Sequence, residues 1–156
     1  MTLLVPLSLH ESEHFAAQVR DFAARTHARI VLLHVVPRPA APPMTLGEGG
    51  LGFDATVYGL YDPAIRADIE RAETSAFHSY TDAHFPDAAD RWLREGDPAS
   101  VILDEARNGA IDVIVMGHRH QGMLDRFLSG STARAIFENA DCPVLVVPTL
   151  TPSDRG

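Results

Sequence analysis

The chain has no lysine at all: its thirteen basic residues are all arginine. That excludes a P-loop, whose lysine reaches the β and γ phosphates, and no G-x-x-x-x-G-K-[ST] segment occurs. A single cysteine, Cys142, excludes an intrachain disulfide framework and a cysteine-based zinc site. No apolar run approaches the roughly 20 residues that span a bilayer. The opening MTLLVPLSLHESEH lacks a basic n-region and a small-residue cleavage site, so no signal peptide is expected and the cytoplasm is favoured. The net charge of −8, with no cluster of arginines to offset it, argues against binding DNA or RNA. A phosphorylated ligand would have to be held by backbone amides, helix ends and a few arginines.

What is present is an ordinary globular composition, 46% apolar and 22% charged over 156 residues. That suits one domain with one sizeable core, here taken as residues 1–148 with a loose tail at 149–156. Thr2–Leu9 reads as a buried strand. A helix opens near Ser12 with Phe15, Val19, Phe22 and Ala23 on one face. Arg29–Val36 is β-branched and continuously apolar, as a parallel strand covered on both faces should be. Pro37–Tyr61 is rich in proline and glycine and reads as a flap. Asp62-Pro63 caps a second helix, for which Ile65, Ile69, Ala72, Ala76 and Tyr80 supply the predicted inward stripe.

Ala88–Arg94 is a weaker strand. Asp97-Pro98 repeats the cap and starts a helix bearing Val101, Ile102 and Ala106. Ile111–Met116 is a strong strand, a loop follows to Ser129, and Gly130–Ala140 is helical with Ile136 and Phe137 predicted inward. Pro143–Val147 closes the series. The alternation predicts an α/β fold: a five-stranded parallel, doubly wound, Rossmann-like sheet with helices on both faces. Ligands of such sheets bind outside the carboxyl ends of the strands, where strand order switches.

Chemistry concentrates in Met116–Thr132, MGHRHQGMLDRFLSGST. A glycine directly after a buried strand lets a ligand approach the backbone. Gly130-Ser131-Thr132 opens a helix whose free N–H groups and positive dipole end suit an anion. The loop between them could wrap a phosphate chain.

This segment resembles the ATP-binding signature of the universal stress protein family. That signature is a glycine after the fourth strand, two residues, a second glycine, nine residues, then Gly-Ser. Gly117 and Gly130-Ser131 match it, while His120 stands at the second glycine. LLVPLS, LLHVVP, GDPASVILDEA and NADCPVLVVP resemble the family's other segments, so the likeness runs almost to Pro148. It implies a fold of the adenine-nucleotide α-hydrolase-like kind that binds ATP, AMP or ADP. Pro6, Leu7 and Ser8 would lie beside the adenosine, with the Val35 backbone at the adenine edge and Met116 and Gly117 flanking the nucleotide. Arg119 and His120 would meet the phosphates, with Gly122 in the wrapping loop and Gly130, Ser131 and Thr132 opposite. Two departures stand out: the family commonly has aspartate at Ser8, and His120 replaces a glycine.

The resemblance also implies an antiparallel homodimer across Pro143–Val147, an apolar strand at the end of the topology. The expected role is a dimeric stress-response regulatory module read by a protein partner, with at most slow ATP hydrolysis. Alternatives are a stress protein that binds no nucleotide and works through its dimer surface, and an ATP-using enzyme of the same fold. No metal site is expected, because His118 and His120 lack a carboxylate or cysteine at ligand spacing. Asp125, which could hold Mg²⁺ on ATP, reads as solvent-facing. Ser8, His10 and Glu11 lack the elbow of a serine hydrolase and are not a catalytic set. His34 reads as a packed core histidine.

Overall fold

The computed structural model describes residues 1–37, 63–118 and 130–149, His118 through its backbone alone. In chain order they form β1 (Thr2–Leu7), α1 (Glu13–Thr26), β2 (Arg29–Pro37), α2 (Pro63–His84) and β3 (Asp90–Gly96). Then come α3 (Pro98–Asn108), β4 (Val113–His118), α4 (Ser131–Asn139) and β5 (Val144–Pro148). All five strands are parallel, in the order β3-β2-β1-β4-β5. The order reverses at β1, between β2 and β4, as the predicted doubly wound sheet requires.

Alternate side chains of each strand feed two cores, because successive Cβ atoms point to opposite faces. Leu3, Val5, Leu32 and Val115 pack with Phe15 and Val19 of α1 and Phe77 of α2. Leu4, Val31, Leu33 and Ile114 pack with Ile102 and Leu103 of α3 and Ile136 of α4. Burial on both faces is why the strand sequences are continuously apolar rather than alternating.

The helices start where the sequence places caps. Ser12 caps α1, its side chain accepting from the Phe15 N–H at 3.3 Å while its hydroxyl donates to the Thr149 carbonyl. Asp97 caps α3, accepting from the Ser100 N–H at 3.0 Å. That hydrogen bond and a second from the Ser100 hydroxyl at 2.8 Å hold the Asp97 carboxyl below the usual carboxylate range.

Four expectations need correction. β1 stops at Leu7 rather than Leu9, because Leu9 turns into the left-handed region at φ 66°. Of the predicted stripe of α2 only Tyr80 packs against the core: Ile65 and Ile69 are 41% and 38% exposed, and Ala72 and Ala76 are exposed too. Phe77 and Thr81 are the residues α2 buries, and the His34 ring stacks on Phe77 at 5.9 Å. Phe137 is exposed, so α4 turns Ile136 alone fully into the core. Thr149, expected in a loose tail, is 5% exposed and packs beside Gly117. Residues 38–61 of the expected flap, and Asp62 after them, lie outside the described residues.

Candidate functional site

The sheet parts at its switch point. β1 pairs with β2 as far as Leu7–His34, and β4 pairs with β5 as far as His118–Pro148. Between β1 and β4, however, pairing stops at Leu4–Ile114. Pro6, which has no N–H to donate, lies beyond that stop. A hollow of about 660 Å³ occupies the gap, within the usual range for small-molecule sites.

Its walls gather much of the predicted site. Pro6, Leu7 and Ser8 come from the end of β1, Val35 from β2, Met116 and Gly117 from β4, and Gly130 and Thr132 from the start of α4. Ser131 opens α4 and is exposed, outside the hollow's lining. Arg119, His120, Gly122 and Asp125 lie outside the described residues.

The two signature glycines serve different ends. A Cβ on Gly117 would lie 2.9 Å from Thr149 Cγ2 and 3.4 Å from Phe15 Cε2. Packing against α1 and the end of β5 therefore forbids a side chain there, whatever binds on the open side. Gly130 has an ordinary φ of −79°, and a Cβ would meet only Ala133, at 4.0 Å. Neither backbone conformation nor packing within the described residues demands glycine at 130. As N-cap it offers no side chain to the first turn of α4, which has no side-chain cap hydrogen bond. The amides and positive dipole end of that turn are left for an anion at the hollow's rim.

Two groups that sequence reasoning did not place in the site line it. His34 is buried as expected, but its ring bridges three elements. Nδ1 lies 2.8 Å from the Leu7 carbonyl oxygen and Nε2 lies 2.9 Å from Glu73 Oε2. A neutral imidazole donates from one nitrogen only, so both contacts are satisfied together when the pair holds one further proton. The pair ties the carboxyl end of β1 to α2 at the hollow's edge.

Glu11 is the second. Its carboxylate folds back to the end of β1, where Oε1 accepts from the Ser8 N–H at 2.8 Å and from the Ser8 hydroxyl at 2.7 Å. Leu9 at φ 66° makes this reversal possible, at a cost of about 1–2 kcal/mol for a residue with a Cβ. Oε2 of Glu11 is buried with no hydrogen-bond partner among the described residues. A glutamate four residues past the strand carries no sequence signal for this, because the reversal depends on a left-handed leucine. Ser8 itself is neutral, yet the end of β1 carries a carboxylate after all.

Among the described residues no three His, Cys, Asp or Glu side chains group to hold a metal ion, and no helix is long and apolar enough to cross a membrane.

A parallel doubly wound sheet, open at its switch point with the start of α4 at the rim, defines an α/β protein of Rossmann-like architecture. The sequence profile of the universal stress protein family matches residues 1–148. The chain belongs to that family.

A universal stress protein of Thermus aquaticus is 30% identical over 147 residues, covering 94% of this chain and 97% of its own. The universal stress protein Sll1654 of Synechocystis is also 30% identical, covering 94% of this chain and 85% of its own. Among solved structures, the universal stress protein UspA from Lactobacillus plantarum superposes with a TM-score of 0.58 at 25% identity, covering 94% of this chain and 97% of that one. A universal stress protein crystallised in complex with cAMP shares the fold at TM-score 0.57 and 16% identity, over 96% and 98% of the two chains.

Proposed function

We propose that this chain binds an adenine nucleotide, ATP with Mg²⁺ or AMP or ADP, in the hollow at the parted ends of β1 and β4. The observation that carries the reading is the uncapped first turn of α4 at the rim of that hollow, with a glycine at position 130 that packing does not require. Amides there meet phosphate without a lysine, the residue this chain lacks. Arg119 adds charge to the phosphates, and His120, Gly122 and Ser131 join it around them. The Val35 backbone reads the adenine edge, and Pro6, Leu7 and Met116 supply apolar contact. The cAMP complex of a protein with the same fold is consistent with an adenine ligand here.

The nucleotide acts as a signal in the cytoplasm rather than as a substrate turned over quickly. The chain works as a homodimer: β5 pairs with β4 on one side, and its half-buried Val144, Leu145 and Val146 suit pairing with the β5 of a second copy. A regulatory protein partner reads the nucleotide-dependent state of the dimer.

The test is thermal melting with and without millimolar Mg-ATP, with mass spectrometry of whatever co-purifies. Ligand at 100 times its Kd stabilises by about 2.7 kcal/mol, which raises the melting temperature of a chain this size by several degrees. An unchanged melting temperature together with no co-purifying nucleotide would sink the reading.

A further inference from the structure

The two halves of α2 are held by different means. The second half buries Phe77 and Thr81, and Tyr80 packs against the same core. None of residues 63–76 is buried. A groove of about 450 Å³ lies between this first half and the sheet, lined by Ile69 and Thr74 from the helix and by Val36, Pro37 and Leu93 from β2 and β3. Side chains of the first half reach the sheet through two polar links, Arg66 to Glu95 at 2.8 Å and Glu73 to His34 at 2.9 Å. The Arg66–Glu95 pair joins two partly exposed groups, where water screens the attraction. The Glu73 link has one end inside the protein: the His34 side chain is 9% exposed, against 38% for Glu73.

That buried link needs a proton. Nδ1 of His34 lies 2.8 Å from the Leu7 carbonyl oxygen, which can only accept and is fixed in the last register pair of β1 with β2. The neutral ring therefore keeps its proton on Nδ1. Nε2 and Glu73 Oε2 are then two acceptors at 2.9 Å unless a further proton lies between them. When that proton leaves, the buried ring, stacked on Phe77, stays in place, and the more exposed carboxylate turns to water. The neighbouring charges are engaged elsewhere. On α2, Arg66 pairs with Glu70 and Glu95, Arg71 with Asp68, and His78 is exposed. β3 places Leu93 opposite His34, and its Arg91 pairs with Asp82. Beyond β1, Glu11 is bonded to Ser8, and α1 meets α2 at its far end through Glu13 and His84.

We propose that the His34–Glu73 pair is a proton-operated latch. With the extra proton it clamps residues 63–76 of α2 to the sheet; without it, this half of the helix is released beyond Phe77. The clamped form holds one proton more than the released form, so rising pH drives release and falling pH closes the latch. Leu7 and His34 line the ligand hollow, Ile69 and Thr74 line the groove, and Pro37 lines both. The proton thus sets how firmly α2 closes the groove beside the ligand hollow, whatever occupies either.

Amide hydrogen exchange of the full chain, resolved by residue and normalised to the intrinsic rate at each pH, tests the latch. Between about pH 5 and about pH 8, where histidine ordinarily changes charge, protection of residues 67–76 should fall about tenfold, the scale of one lost charge-assisted hydrogen bond. Residues 77–84 should keep their protection. Glu73→Gln separates the proton from the contact: its NH₂ group donates to Nε2 of a neutral His34, so protection of 67–76 should not vary with pH. Glu73→Ala makes no link at any pH and should show the low protection throughout, which keeps the latch testable should the glutamine variant misfold. Equal protection of 67–76 at both pH values in the wild type overturns the proposal. So does a pH dependence that Glu73→Gln or Glu73→Ala retains, because another group then carries the proton. A loss that extends through 77–84 and the strands also overturns it, because the proton then acts on the whole fold.

Discussion

Replacing Gly117 with alanine separates two reasons for a glycine after β4. If the residue is there to admit a ligand, the free protein should tolerate a methyl. The geometry argues otherwise, since the new Cβ would sit 2.9 Å from Thr149 Cγ2 and 3.4 Å from the Phe15 ring. Phe15 is fully buried, and Thr149 is held through its carbonyl by the Ser12 hydroxyl, so neither yields easily. Overpacking of this kind costs about 1–3 kcal/mol. Losing the freedom of an unfolded glycine offsets about 0.4–1 kcal/mol of that. The net loss should be about 1–2 kcal/mol, or about 3–6 °C in melting temperature for a chain of this size.

Urea unfolding of four proteins checks the cause: wild type, Gly117→Ala, Thr149→Ser and the double variant. Thr149→Ser removes Cγ2 but keeps the hydroxyl, and alone should cost about 0.8 kcal/mol for one buried methyl. In the Thr149→Ser background the alanine should then cost less than about 0.5 kcal/mol, because its nearest obstacle is gone. An alanine that is harmless in the ligand-free wild type would refute the packing argument. So would one that costs the same in both backgrounds.

Other substitutions probe the remaining supports. Ser12→Ala removes the cap of α1 and the bond to the Thr149 carbonyl together, and should lower stability by about 1–2 kcal/mol in denaturant unfolding. Phe77→Ala should cost about 3–5 kcal/mol, whereas Ile69→Ala should stay within about 0.5 kcal/mol. Comparable losses at the two positions would mean that α2 is rotated from the orientation seen here. Glu13 accepts from Arg20 at 2.8 Å and meets His84 Nδ1 at 2.5 Å, and these contacts hold its carboxyl below its ordinary value of 4.5. Its folded-state value is depressed, so the stabilisation is present above pH 4.5 and fades as pH falls through the lower folded value. The stability difference between wild type and Glu13→Gln should therefore be small at neutral pH and vanish on acidification. A difference that grows in acid would reverse the assigned sign.

β1, β2 and β4 were legible in the sequence because each feeds a core on both faces. That forces runs such as RIVLLHVV and IDVIVM, which no surface element could carry. Two helix starts were legible because Ser12 and Asp97 satisfy amides within their own first turn, a local matter of spacing. The parallel order and the location of a hollow at strand ends followed from alternation alone. The face of α2 did not follow. Its sequence carries two plausible apolar sides, and the choice of Phe77 over Ile65 and Ile69 rests on His34 and the α1 core, which are distant along the chain.

The same division runs through the site. By itself the sequence determined the fold class, the two glycines and the helix start that border the hollow, because backbone chemistry and periodicity are local properties. Only the tertiary structure decided why each glycine is needed, since Thr149 and Phe15 reach Gly117 from opposite ends of the chain. It also decided where the carboxylate stands. Glu11 reaches Ser8 through a left-handed leucine, and its second oxygen is deprived of a partner by neighbours whose donors are engaged elsewhere. Burial and hydrogen-bond exhaustion are sums over everything folded around an atom, and no window of sequence contains that sum.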